Sequence, residues 1–101
     1  TVTQATNKTT AFTLSKITGQ ITFAAGALAA GATAASTWTN TAIAATDTVV
    51  FSHVSGGTTG AYVFNAACGS GTATLNITNV STGSLDQQPV GQFTVIKGVT
   101  A

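Results

Sequence analysis

Residues 72–79 read Thr-Ala-Thr-Leu-Asn-Ile-Thr-Asn, an alternation that sets Ala73, Leu75 and Ile77 on one face of an extended chain and Thr74, Asn76 and Thr78 on the other. Side chains repeat every two residues only along a β-strand, so this pattern fixes both the type of element and its register. The same period recurs at 32–40, where Ala34, Ser36 and Trp38 oppose Thr33, Ala35, Thr37 and Thr39, and at 91–97, where Phe93 and Val95 share a face. Trp38 is the expected large core residue. Further strands are predicted at 2–6, at 10–17 with Phe12 and Leu14 inward, and at 20–23, after a break at Gly19, with Ile21 and Phe23 together. The remaining two are 48–54 and 61–67.

Glycine, asparagine, serine and aspartate punctuate these runs at the spacing of β-sandwiches. The Ala-rich stretch 24–31 has glycines at Gly26 and Gly31 that leave room for barely one helical turn, so it reads as a loop with Leu28 anchored in the core. Residues 40–47 read as a connection with Ile43 inward and Asp47 bonding the backbone of its own turn. Val49, Val50 and Phe51 form a continuous apolar run, which predicts burial on both faces in the middle of a sheet or at a subunit contact. Ser55-Gly56-Gly57-Thr58-Thr59-Gly60 reads as the turn of a hairpin between 48–54 and 61–67. Residues 80–89 are polar and irregular, and Pro89 fits only an edge or the start of a strand. The expectation is one all-β domain over residues 1–101, an antiparallel β-sandwich of about eight short strands, jelly-roll-like in connectivity.

Charge is the unusual quantity. Only 5% of the 101 residues are Asp, Glu, Lys or Arg, against about 25% in ordinary soluble domains. The surface is therefore built from Thr, Ser, Asn, Gln, Ala and Gly, and such groups cost little to desolvate when they regain a hydrogen bond. Three lysines (Lys8, Lys16, Lys97), no Arg and a formal charge of +1 give no basic stripe for nucleic acid. The stretch 17–46, free of Asp, Glu, Lys and Arg, is interrupted throughout by polar residues and holds no apolar run long enough for a transmembrane helix. No charged n-region with a following apolar segment opens the chain, and its first residue is not Met, consistent with processing or with a piece of a longer polypeptide. A lone Cys68 cannot form an internal disulfide and reads as a small apolar filler at a strand end.

Residue types of a Ser-His-Asp triad occur in Ser52, His53, Asp47 and Asp86, but adjacent residues on a strand point to opposite faces, so Ser52 and His53 cannot act as nucleophile and base. Asp47 and Asp86 are the only carboxylates a glycosidase pair could use, and Asp86 reads as a solvated loop residue. One His, one Cys and two Asp, dispersed, match no zinc or calcium spacing. Gly56-Gly57 and Gly69-Ser70-Gly71 lack the helix and the Lys-Ser/Thr of a phosphate loop. Three Asn-X-Ser/Thr sequons, at Asn7, Asn76 and Asn79, reflect a composition rich in Asn and Thr. No catalytic residue, metal or cofactor is expected.

The segments Thr3-Gln4-Ala5-Thr6-Asn7-Lys8-Thr9-Thr10, Gly19-Gln20-Ile21-Thr22, Ala42-Ile43-Ala44-Ala45-Thr46-Asp47 and Ser55-Gly56-Gly57-Thr58-Thr59-Gly60-Ala61-Tyr62 resemble those of a small domain family common in tailed-phage and prophage genomes. Thr82-Gly83-Ser84-Leu85 and Phe93-Thr94-Val95-Ile96-Lys97-Gly98 extend the similarity over almost the whole chain. Cys68 and Phe64 depart from it, standing where aliphatic or polar residues are expected. The resemblance implies a virion structural role, as a capsid decoration (cement) protein or as a tail or fibre domain, with no catalytic residues to carry over.

Two functions follow as expectations. The first is a cement subunit on the surface of a phage particle, bound to the major capsid protein or other virion proteins through symmetric, uncharged contacts. The second is a tail-fibre or adhesin domain that binds a host surface glycan or protein through its loops. Trp38, His53 and Tyr62 are the residues expected at an interface or ligand contact. A surface so poor in charge also predicts a homo-oligomer, taken as a trimer.

Overall fold

The alternating segments form strands whose burial alternates with them. In the computed structural model, which describes residues 1–98, ten strands and no helix are present. They are β1 (Val2–Thr3), β2 (Phe12–Thr13), β3 (Thr18–Thr22), β4 (Ala27–Leu28), β5 (Thr33–Thr39), β6 (Thr48–Ser55), β7 (Tyr62–Gly69), β8 (Thr72–Asn79), β9 (Leu85–Asp86) and β10 (Val90–Ile96). Two four-stranded sheets, in the orders β1-β3-β10-β6 and β2-β5-β8-β7, face each other, and β4 pairs with β9 in a short ribbon.

The inner faces meet in one core. Ala34, Ser36 and Trp38 of β5, Ala73, Leu75 and Ile77 of β8, and Phe93 and Val95 of β10 are all buried, as their alternation predicts. Each fully covered large apolar side chain among them contributes roughly 1.5–3 kcal/mol. Trp38 lies at the centre with 0% of its surface exposed, edge-on to Phe93 of the opposite sheet at 4.5 Å between ring centroids. Its indole N–H donates to the Leu14 carbonyl at 3.1 Å, so the ring is buried without stranding its one donor. Leu28 and Ile43 are buried as expected, and Asp47 accepts from the Ala44 amide of its own turn.

Several expectations are corrected. The sheets are mixed, not purely antiparallel: β1 runs parallel to β3 and β2 parallel to β5. The chain enters one sheet for two residues, crosses to the other for two, and returns, and such crossings leave short strands parallel to their neighbours. The jelly-roll connectivity is not shown by the strand orders β1-β3-β10-β6 and β2-β5-β8-β7. Gly19 does not break a strand. It lies within β3 opposite Phe93, whose ring would sit 3.3 Å from a Cβ at that position. The segment 10–17 is strand only at Phe12–Thr13.

The largest correction concerns β6 and β7. They form no hairpin, since β6 pairs with β10 and β7 with β8 in the opposite sheet. Nor is β6 in the middle of a sheet: it is an outer strand, with Val50 51% exposed. The chain between them is an arch. Gly56, Gly57 and Gly60 all have φ between +66° and +84°, a region where a side chain is disfavoured. Gly56 also packs so closely on the backbone that a Cβ would lie 2.3 Å from the Gln88 carbonyl oxygen.

Candidate functional site

β6 and β7 are the outer strands on one side of the two sheets, eight residues each, whereas the outer strands on the opposite side, β1 and β2, have two residues each. Their inward side chains face one another across the gap between the sheets. Phe51 stands opposite Phe64 at 6.0 Å between centroids, and His53 stands edge-on to Tyr62 at 5.9 Å. Val49, Phe51, Phe64, Ala66 and Cys68 are only partly buried here, packed against the core but, among the described residues, not covered by a further strand. This side of the sandwich is open. Val54 and Val63 flank it, each 47% exposed. A bulge in β6 opposite Val90 and Gly91 ends the regular part of its pairing.

The arch closes one end of the gap. Gln87 reaches across so that its side-chain oxygen accepts from the Tyr62 hydroxyl at 2.8 Å and the Thr58 amide at 3.0 Å, while its amide donates to the Thr58 hydroxyl at 3.0 Å. Tyr62 is buried, and burial and the nearby Asp86 charge raise its phenol pKa. The Nε2 of His53 lies 3.0 Å from the Ser55 carbonyl oxygen and 2.6 Å from that of Gly56. Carbonyls only accept, so Nε2 carries the proton. Of the three residues expected at a contact, Trp38 is therefore in the core, Tyr62 is occupied in fixing the arch, and only His53 is half-exposed, with Nε2 already engaged.

Every Asp and Lys lies outside the two four-stranded sheets. Lys8, in the β1–β2 loop, is only 4% exposed and donates to the carbonyls of Gly26 and Gln87, both at 2.7 Å. Burial lowers its pKa, opposed by the Asp86 charge. Beside it a cleft of about 240 Å³ is lined by Asn7, Thr9, Leu28 and Thr33, among others. Asp47 accepts from Lys97 and from the amides of Ala44 and Gly98, and these contacts, the Lys97 bond foremost, hold its carboxyl down at about 2. Burial raises the Cys68 thiol pKa, and the Asp47 charge adds to the shift.

The outer faces of the two sheets differ. On the β5–β8–β7 sheet the polar groups pair laterally: Thr33 with Thr78 at 2.7 Å, and Asn76 donating to Asn65 at 3.0 Å. On the other sheet Val50, Ser52, Gln92 and Thr94 border a shallow depression of about 190 Å³. Ser52 is exposed while His53 turns inward, so they form no nucleophile–base pair. Asp86 accepts from the Gly26 amide instead. No group of three or more His, Cys, Asp or Glu that could hold a metal ion occurs among the described residues. The Asn79 sequon is sealed, its amide donating to the carbonyls of Leu28 and Gly83.

In the sequence the run Val49-Val50-Phe51 fits the middle of a sheet and a subunit contact equally well, so by itself it does not mark this side as open. Comparison with protein-family models, curated proteins and solved structures gives no match.

Proposed function

We propose that this chain is a virion structural protein, a decoration subunit on the surface of a phage particle, held to the major capsid protein or other virion proteins through uncharged contacts. The observation that carries this reading is that neither four-stranded sheet contains a single Asp, Glu, Lys or Arg. Burying an ion without a partner costs several kcal/mol, whereas a hydroxyl or amide that regains a hydrogen bond costs little. Faces of Thr, Ser, Asn, Gln and Val are thus suited to permanent contact with protein. Sequence resemblance to small phage and prophage domains points the same way. With Lys8 buried and Lys97 bonded to Asp47, little positive charge is left to bind phosphate backbones.

The adhesin reading is the weaker one. Two of the residues it would use, Trp38 and Tyr62, are buried, and glycan recognition through aromatic faces needs them accessible.

Purified protein added to shells that lack it distinguishes the two. A decoration subunit binds in a saturating ratio and raises the temperature at which the shells rupture. Failure to bind shells, together with binding to host cells, would favour the adhesin.

A further inference from the structure

β6 and β7 form one open side, and they run in opposite directions, since Phe51 faces Phe64 while His53 faces Tyr62. Each has a ladder partner on one flank only. Half of the peptide groups of an outer strand point away from its sheet, and natural proteins guard such edges with lysine, proline or very short strands. Neither β6 nor β7 contains Lys or Pro, and both are eight residues long. Three of the most exposed large apolar residues, Val50, Val54 and Val63, lie on these two strands.

We infer that the open side is a self-association surface, on which two copies join about a two-fold axis parallel to the strands, so that β6 of each lies beside β7 of the other. A rotation about that axis preserves strand direction, so both new pairings are antiparallel. One contact then satisfies all four free edges, covers the half-buried Phe51, Phe64 and Ala66 of each copy, and brings Val50 and Val63 to the same boundary. The occupant is a second copy because the surface suits itself. In an isologous contact residue i of one copy meets residue j of the other and j meets i, so each β6 edge meets a β7 edge, and any ionised residue on either would be buried at the seam without a partner. Here there is none. The opposite side has two-residue outer strands and offers no comparable edge. Two copies replace the trimer expected from composition, because both edges lie on one side and a single contact pairs them.

This inference rests on reading the chain as an assembling subunit, but not on its address in a virion. It is tested by sedimentation of the purified chain with three variants. Val50→Lys and Val63→Lys each place a charge beside one edge, and Thr37→Lys places one on the outer face of β5. Emission from the buried Trp38 reports that each variant is folded. The expected result is a mass twice the 9.9 kDa of one chain for the wild type and Thr37→Lys, and single-chain mass for folded Val50→Lys and Val63→Lys. Amide exchange is expected to be slow along both β6 and β7 in the dimer and faster in those two variants. A wild type that stays monomeric at high concentration, or that gains mass only with shells, would overturn the inference by giving the edge to another chain. Dimers or trimers that persist in both folded edge variants would overturn it while leaving the decoration reading intact. Failure to bind shells would do the reverse.

Discussion

Phe51 and Phe64 stand 6.0 Å apart on strands of different sheets, on the side of the sandwich where the eight-residue β6 and β7 are outermost. They end a run of rings from Phe12 through Trp38 to the surface. The core is therefore continuous with the candidate contact surface, and features that hold the sheets together also set the shape of that surface. Four properties of this framework can be measured on the isolated chain.

The arch that joins β6 to β7 depends on Gly56 more than on Gly60. Both have positive φ, so alanine at either position incurs about 1 kcal/mol of backbone strain. Only at Gly56 would the new methyl also collide with the backbone, at the Gln88 carbonyl oxygen, while Gly60 opens onto free space. Gly56→Ala is expected to lower stability by at least about 2 kcal/mol more than Gly60→Ala, read from urea unfolding. Equal losses would mean the arch is not packed against Gln88.

Lys8 ties the β1–β2 loop to Gly26 and Gln87. Lys8→Met keeps the length of the side chain but strands two carbonyl oxygens, and is expected to cost about 2–3 kcal/mol. An exposed lysine, Lys16, serves as the control, and Lys16→Met is expected to change the urea midpoint little.

Ser36 is the opposite case. Its hydroxyl is buried with no hydrogen-bond partner among the described residues, so Ser36→Ala is expected to stabilise the protein by about 1 kcal/mol. A loss of stability on thermal unfolding would mean that the hydroxyl has a bonding partner.

Asp47 supplies a pH dependence. Its folded pKa of about 2 lies below the ordinary value of 3.8, so its contribution is complete above that ordinary value and is lost as pH falls from about 4 through 2. Asp47→Asn is expected to be less stable than wild type at neutral pH. The gap between the two should narrow below pH 4, as followed by Trp38 emission in acid. A constant gap across that range would contradict the Lys97 contact as its source.

Strands with clean alternation were legible in the sequence, because β5, β8 and β10 have one covered and one open face and the two-residue period records that directly. Trp38 was legible as core for the same reason. The β6–β7 relation was not, since a six-residue glycine-rich link serves a hairpin within one sheet and an arch between two equally well. What distinguishes them is the facing of Phe51 on Phe64 and His53 on Tyr62, contacts made only after the sheets assemble. Tyr62 looked available for a ligand because Gln87, which binds its hydroxyl, lies 25 residues further along the chain. Lys8 gave no sign of burial, as lysine is almost always exposed. Its two carbonyl partners come from distant loops. Gly19 was misread because a strand glycine and a strand break look alike until the Phe93 ring is seen above it.

The most direct measurement of the proposed role is a density map of an intact phage particle that carries this chain. Decoration predicts β-sandwich density repeated over the shell surface in a fixed ratio to the capsid subunits, with uncharged sheet faces or strand edges at the contacts. A shell without such density, or copies confined to the tail tip, would contradict it.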